Sequence, residues 1–194
     1  MTRAEEQRLI ALAIAGDRTA TEMFIRAHQQ SLYAFMVRMS GRPEMAEDIV
    51  QEAFVRALTN LDRFDPRFRF STWLFTIAKR LYINASARVR PAHGSAALEG
   101  LRHSAAAPEA EAAGGEVGGN LHDALQAALL SLPPDQREIV ILFHQQDWPI
   151  WLIAQHLDKP EGTVKSHLHR ARRKMRRLLD QSEKHSRSVG EVWS

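Results

Sequence analysis

The chain has 194 residues and a formal net charge of +3, a length that suits one or two domains. It contains no cysteine, which excludes disulfides and thiolate metal sites and fits a reducing compartment. The opening MTRAEEQRLI is charged and lacks the apolar core of a signal peptide, and no apolar run approaches the roughly 18 residues of a membrane span, so the expected location is the cytoplasm.

The small net charge hides an uneven distribution. No Asp or Glu occurs from Pro66 to Leu98, whereas Arg67, Arg69, Lys79, Arg80, Arg88 and Arg90 all do. A second basic zone, Glu161 to Leu179, holds seven Lys and Arg against one acid. Two basic zones suggest a polyanion touched at two places. Between them, residues 91–119 are rich in Ala, Gly and Glu with little apolar bulk. Such a segment cannot bury enough surface to offset its ordering entropy, and it reads as a flexible acidic linker. Its expected r.m.s. span is roughly 30 Å, and its full extension about 95 Å.

In the first block (1–90) helical periodicity dominates. Glu5 to Ala15 is a short helix stopped at Gly16–Asp17. Thr19 to Met39 is a long one, with Phe24, Leu32, Phe35 and Met39 at helical spacing. The segment 44–61 places Ala46, Ile49, Val50, Ala53 and Ala57 on one face, and Glu47, Asp48, Gln51 and Glu52 on the other. DRFDPRFRF (62–70) reads as a loop, and 71–90 as a helix capped by Ser71 or Thr72. Phe64, Phe68, Phe70 and Tyr82 mix with Arg67, Arg69, Lys79 and Arg80. Aromatics among cations suit single-stranded nucleic acid, because bases need stacking partners and phosphates need counter-charge. Trp73, at helical spacing with Leu74, Ile77 and Leu81, divides between core and this surface; Phe54 and Phe75 are assigned to core.

The second block (120–182, with a tail at 183–194) reads as a helix from Leu121 to Leu130, a helix started by the prolines of SLPPDQREIVILFHQQ, and a short helix from Ile150 to Leu157. DKPEG then turns the chain into a basic helix, the helix-turn-helix pattern. Along Thr163 to Leu179, Val164, Leu168, Ala171, Met175 and Leu178 form one apolar stripe. Lys165, Ser166, His169, Arg170 and Arg173 face outward, early residues toward base edges and later cations toward phosphates.

Five segments in this order carry a resemblance: AEDIVQEAFVRAL, FSTWLFTIAKRLYIN, LPPDQREIVIL, IAQHL and PEGTVKSHLHRARRKM. Together they resemble the extracytoplasmic-function sigma factors, promoter-specificity subunits of bacterial RNA polymerase. The resemblance implies an all-α protein of two small helical domains on a flexible linker, the C-terminal one a helix-turn-helix. It implies that Glu47, Asp48, Gln51 and Glu52 bind the largest subunits of core RNA polymerase. It implies that Phe64, Arg67, Phe68, Arg69, Phe70, Trp73, Lys79, Arg80 and Asn84 open and hold the −10 element as single strand. It implies that Thr163, Lys165, Ser166, His169, Arg170, Arg172 and Arg173 read the −35 duplex. An anti-sigma protein, often membrane-anchored, is a further implied partner; no catalysis, cofactor, metal or small-molecule substrate is implied. Arg80 stands where the family often has Asn, Asn84 where it has Asp, and Leu152 where an acid is frequent. Asp158 replaces the usual Gly of the turn, and His167 an Arg.

Two other classes are weaker. An enzyme would need a nucleophile elbow, a phosphate loop or metal-ligand spacing, and the sequence shows none; His167 and His169 lie about 200° apart on their helix. A duplex-only regulator explains 121–180 but leaves the 44–61 helix and the 62–90 aromatic–basic zone unused.

Overall fold

A computed structural model describes residues 2–89 and 117–192, and every regular element among them is helical. They belong to two compact units. The first holds α1 (Arg3–Ile14), α2 (Arg18–Ser40), α3 (Pro43–Thr59), a 3-10 turn (Leu61–Arg63) and α4 (Phe70–Val89).

Local chemistry sets the starts and stops. At the head of α1, Thr2 and Glu5 form a reciprocal capping box, the Thr2 N–H donating to the Glu5 carboxylate at 2.7 Å. Asp17 caps α2 by accepting from the Ala20 N–H at 3.0 Å. Gly41, at φ 68°, ends α2 in the left-handed conformation that glycine adopts without penalty. Pro43 opens α3, where its missing N–H costs nothing.

The core of this unit sits where α2 meets α1, α3 and α4. Phe24, Leu32, Phe35 and Met39 are buried, as their spacing predicts. So are Ala46, Ile49, Val50, Ala53 and Ala57, together with Phe54 and Phe75. Phe35 and Phe75 pack at 4.8 Å between ring centroids. Helix α4 starts at Phe70, ahead of the predicted caps; Ser71 and Thr72 lie in its first turn, and the Thr72 hydroxyl is buried without a partner. Phe70, fully buried against Phe24, fixes the chain one residue before the polar candidates.

The second unit holds α5 (Val117–Leu130), α6 (Pro134–His144), α7 (Ile150–Leu157) and α8 (Glu161–Val192). Helix α8 packs on the other three. Residues 117–119, assigned to the linker, begin α5, and the rest of that assignment lies outside the described residues. The tail assignment falls largely on α8, whose backbone runs helical to Val192. Two buried polar groups organise this unit. Arg137 donates from Nε to the Leu129 carbonyl at 3.0 Å, and from Nη2 to those of Leu130 (2.7 Å) and Leu132 (3.1 Å). Leu129 and Leu130 lie in the last turn of α5, where a helix leaves carbonyls short of partners, and Leu132 lies just beyond it; a cation there also opposes the negative end of the helix dipole. Glu138 meets His156 at 2.8 Å with both side chains almost wholly enclosed, tying α6 to α7.

Helix α7 ends on Asp158 at φ 52° and ψ 50°, whose N–H turns back to Ala154 and Gln155. A left-handed residue with a Cβ is strained by about 1 kcal/mol, less for Asp than for most. Asp158→Gly should therefore stabilise the second unit by about 0.5–1 kcal/mol, raising its Tm by a few degrees. Thermal unfolding followed by circular dichroism checks this; a lowered Tm would mean that the Asp158 side chain contributes more than its strain costs.

Candidate functional site

Three surfaces can be built from these elements. On α3, the apolar stripe is buried and Glu47, Asp48, Gln51 and Glu52 are exposed on the opposite side, as read from the sequence. Glu52 pairs with Arg56 one turn on, at 2.6 Å; both are about half exposed, so the pair adds little stability. Val55 is 59% exposed among these polar groups. Sequence reading passed over it, although it lies three and four residues beyond Glu52 and Gln51 and so shares their face.

The second surface is the loop before α4 and the outer face of that helix. Here the structure corrects the sequence reading. Phe70 has no exposure and Phe64 has 9%. They pack on each other at 5.7 Å between centroids, and Phe70 lies 4.2 Å from Phe24. Neither can stack on a base while serving as core. Trp73 is half-buried over both, at 5.4 Å from Phe64 and 5.7 Å from Phe70. Tyr82 is half-buried and donates its hydroxyl to the Met39 carbonyl at 3.2 Å. Phe68, at 43% exposure, is the aromatic of the loop that remains open to solvent. Arg69, Arg80 and Asn84 are exposed, and Lys79 is partly so. Trp73, Arg80 and Asn84 recur at seven and four residues, which keeps them within about 40° on one helix face. Arg67 is exposed but folds back on Asp65 at 2.6 Å. That contact holds the Asp65 carboxyl below its usual range.

Beneath this loop lies an enclosed pair. Glu6 is buried, and desolvation raises its pKa against the pull of Arg69, the Phe70 N–H and Arg3. His28 Nε2 lies 3.9 Å from Glu6 Oε1, too far for a hydrogen bond, and has no hydrogen-bond partner. Burial lowers the His28 pKa to about 4. In the unfolded chain the ring binds its proton near 6.5, in the fold only near 4. Stability is thus present above pH 6.5 and is lost as pH falls from 6.5 toward 4. Glu6, whose shift has the opposite sign, recovers part of it at the acid end. The net loss for the first unit should reach about 1–2 kcal/mol at pH 4.5. Unfolding measured in denaturant at several pH values checks this, and His28→Gln should flatten the dependence. An equally steep dependence in that variant would assign it to other groups.

The third surface is α8. Val164, Leu168 and Ala171 are buried and Met175 and Leu178 half-buried, so the predicted stripe docks as read. Lys165, Ser166, His169 and Arg170 are exposed and line one shallow depression. Thr163 is half-buried in the first turn, its N–H bonded to the Pro160 carbonyl at 2.9 Å. Lys165 pairs with Glu161 at 3.5 Å, an exposed contact easily exchanged for another anion. Arg173 is exposed. Arg172 is exposed but held, its guanidinium 5.2 Å from the Phe143 ring centre and its Nε donating to His144 Nε2 at 3.1 Å. Burial, and then Arg172, lowers the His144 pKa, which favours the neutral ring that can accept this bond. His167 points inward with its Nδ1 buried and unpartnered, and desolvation lowers its pKa too. It therefore does not replace the outward cation that an Arg would supply.

A helix-turn-helix that buries one stripe of its second helix and exposes cations and hydrogen-bonding groups on the other is the architecture of a DNA-binding protein. The first unit adds an exposed acidic face on α3 and a surface of exposed Phe68, Arg69, Arg80 and Asn84. The Sigma-70 region 2 family matches residues 24–90, and the Sigma-70 region 4 family matches residues 122–175. Among curated relatives, the ECF RNA polymerase sigma factor SigW of Bacillus subtilis is 33% identical over 84% of this chain and 91% of its own length. EcfG of Rhodopseudomonas palustris is 35% identical over 80% and 82%. Among solved structures, the sigma factor RpoE of Bartonella quintana, crystallised with the anti-sigma factor NepR, superposes with a TM-score of 0.68 at 27% identity, covering 82% of this chain and 96% of its own. The chain belongs to the extracytoplasmic-function sigma factors. It binds core RNA polymerase and directs promoter-specific initiation of transcription, a family role that is not enzymatic. No helix among the described residues is long and apolar enough to cross a membrane.

Proposed function

We propose that the three surfaces divide the work of initiation, each acting at a distinct partner. The acidic face of α3, with Glu47, Asp48, Gln51, Glu52 and the exposed Val55, docks on the largest subunits of core polymerase. Phe68, Arg69, Trp73, Lys79, Arg80 and Asn84, with Arg67 once released from Asp65, hold the melted −10 strand. Lys165, Ser166, His169 and Arg170 read base edges of the −35 duplex, while Thr163, Arg172 and Arg173 hold its backbone. The segment between α4 and α5 acts as the linker that lets the two units engage both elements. The protein works in the cytoplasm and is held in check by an anti-sigma protein, as its relative RpoE is found with NepR.

The observation that carries this reading is the exposed face of α8, where four adjacent polar or cationic side chains stand opposite a buried apolar stripe. A major groove accepts a helix presented that way. In selection from a library randomised at −35, His169→Ala should change the preference at one or two base pairs, each by about 1–3 kcal/mol, and leave the rest intact. Arg173→Ala should instead weaken all sequences alike. An unaltered preference with His169→Ala would remove this residue from the readout.

A further inference from the structure

Helix α1 lies outside the segment that the region 2 family matches, which begins at residue 24. Its residues Arg3 and Gln7, one turn apart on the same face, both reach the loop that precedes α4. Arg3 Nη2 donates to the carbonyls of Pro66 at 3.1 Å and Arg67 at 2.8 Å. Gln7 Nε2 donates to the Pro66 carbonyl at 3.4 Å. The loop is thus held at its ends by the buried rings of Phe64 and Phe70, and along its backbone by α1. Between those anchors, Phe68 and Arg69 remain turned to solvent.

We infer that α1 is a positioning brace for the −10 loop: Arg3 and Gln7 fix the backbone at Pro66 and Arg67, so that Phe68 and Arg69 are presented to the melted strand in one geometry. The inference rests on the reading that this loop contacts the −10 element. Arg3 and Gln7 are exposed, and their bonds reach residues some sixty positions away. Their loss should loosen the loop without opening the core. A loop that samples several backbone arrangements discriminates less between strands, because each correct contact is made only part of the time.

The test uses the full chain assembled with purified bacterial core RNA polymerase. Arg3→Ala with Gln7→Ala should leave the Tm, polymerase affinity and −35 preference unchanged. Its −10 preference, read by sequencing transcripts from a −10-randomised library, should flatten about fivefold. Arg3→Lys should restore part of the loss, since a point charge can hold one carbonyl but lacks the fork of a guanidinium. Phe68→Ala is run beside it. If Phe68→Ala flattens the −10 preference and the double variant does not, the brace is refuted while the −10 reading stands. If Phe68→Ala has no effect either, the −10 reading falls and the inference with it. If Tm, polymerase affinity and −10 preference drop together in the double variant, α1 is general scaffolding and the inference is overturned.

Discussion

Arg137→Met should remove about half or more of the second unit's stability at 37 °C and leave the first unit unchanged. Arg137 is 8% exposed and gives charge-assisted hydrogen bonds to three carbonyls around the end of α5. Methionine has similar bulk but no donor, so all three acceptors lose this partner inside the unit. Bonds from a charged donor contribute about 1.5–3 kcal/mol each, with partial recovery where water can enter, so a net loss of about 3–5 kcal/mol is expected. A unit of this size has a total stability of roughly 3–9 kcal/mol. Arg137→Lys should recover only part, because an ammonium cannot fork across carbonyls on separate residues. Hydrogen exchange followed by mass spectrometry resolves the two units within one chain. Protection lowered across α5 to α8 and retained in α2 to α4 is the expected result. A second unit with near-native protection would mean that the carbonyls find water without cost.

The second large effect is expected at α3. Asp48→Arg with Gln51→Ala should lower the affinity for core polymerase by about 10²-fold or more, since placing like charges across an interface costs several kcal/mol. The fold should be indifferent: both side chains are exposed opposite the buried stripe, and such surface changes usually alter stability by less than about 0.5 kcal/mol. Fluorescence anisotropy of labelled protein titrated with core polymerase gives the affinity, and the unchanged Tm supplies the control. Wild-type affinity in the double variant would move the docking surface elsewhere.

Much of this was visible in the sequence because periodicity reports which residues share a face. The Ile150–Leu157 helix, the stripe from Val164 to Leu178 and the polar face of α3 all follow from spacing. What spacing does not report is what a face meets. Phe64 and Phe70 sit among arginines in a segment whose composition suits strand stacking, yet Phe24 on a distant helix claims Phe70 for the core. Arg137 reads as a surface cation, and only the C-terminus of α5 folding over it makes it an internal cap. Arg3 and Gln7 look like the solvated side of a short helix; their partners come from a loop far along the chain. In each case a contact outside the residue's own helix outweighs the local signal.

The central claim is that this chain brings core polymerase to a two-part promoter. The most direct measurement is transcription by purified core polymerase with and without the protein, on a template library randomised at both the −35 and −10 positions, with the transcripts sequenced. The account predicts transcripts that require the protein and enrich one −35 and one −10 sequence at a fixed separation. His169→Ala should alter only the −35 sequence and Phe68→Ala only the −10. Transcription no greater than that of core polymerase alone, or enrichment of a single duplex element with no −10 preference, would contradict it.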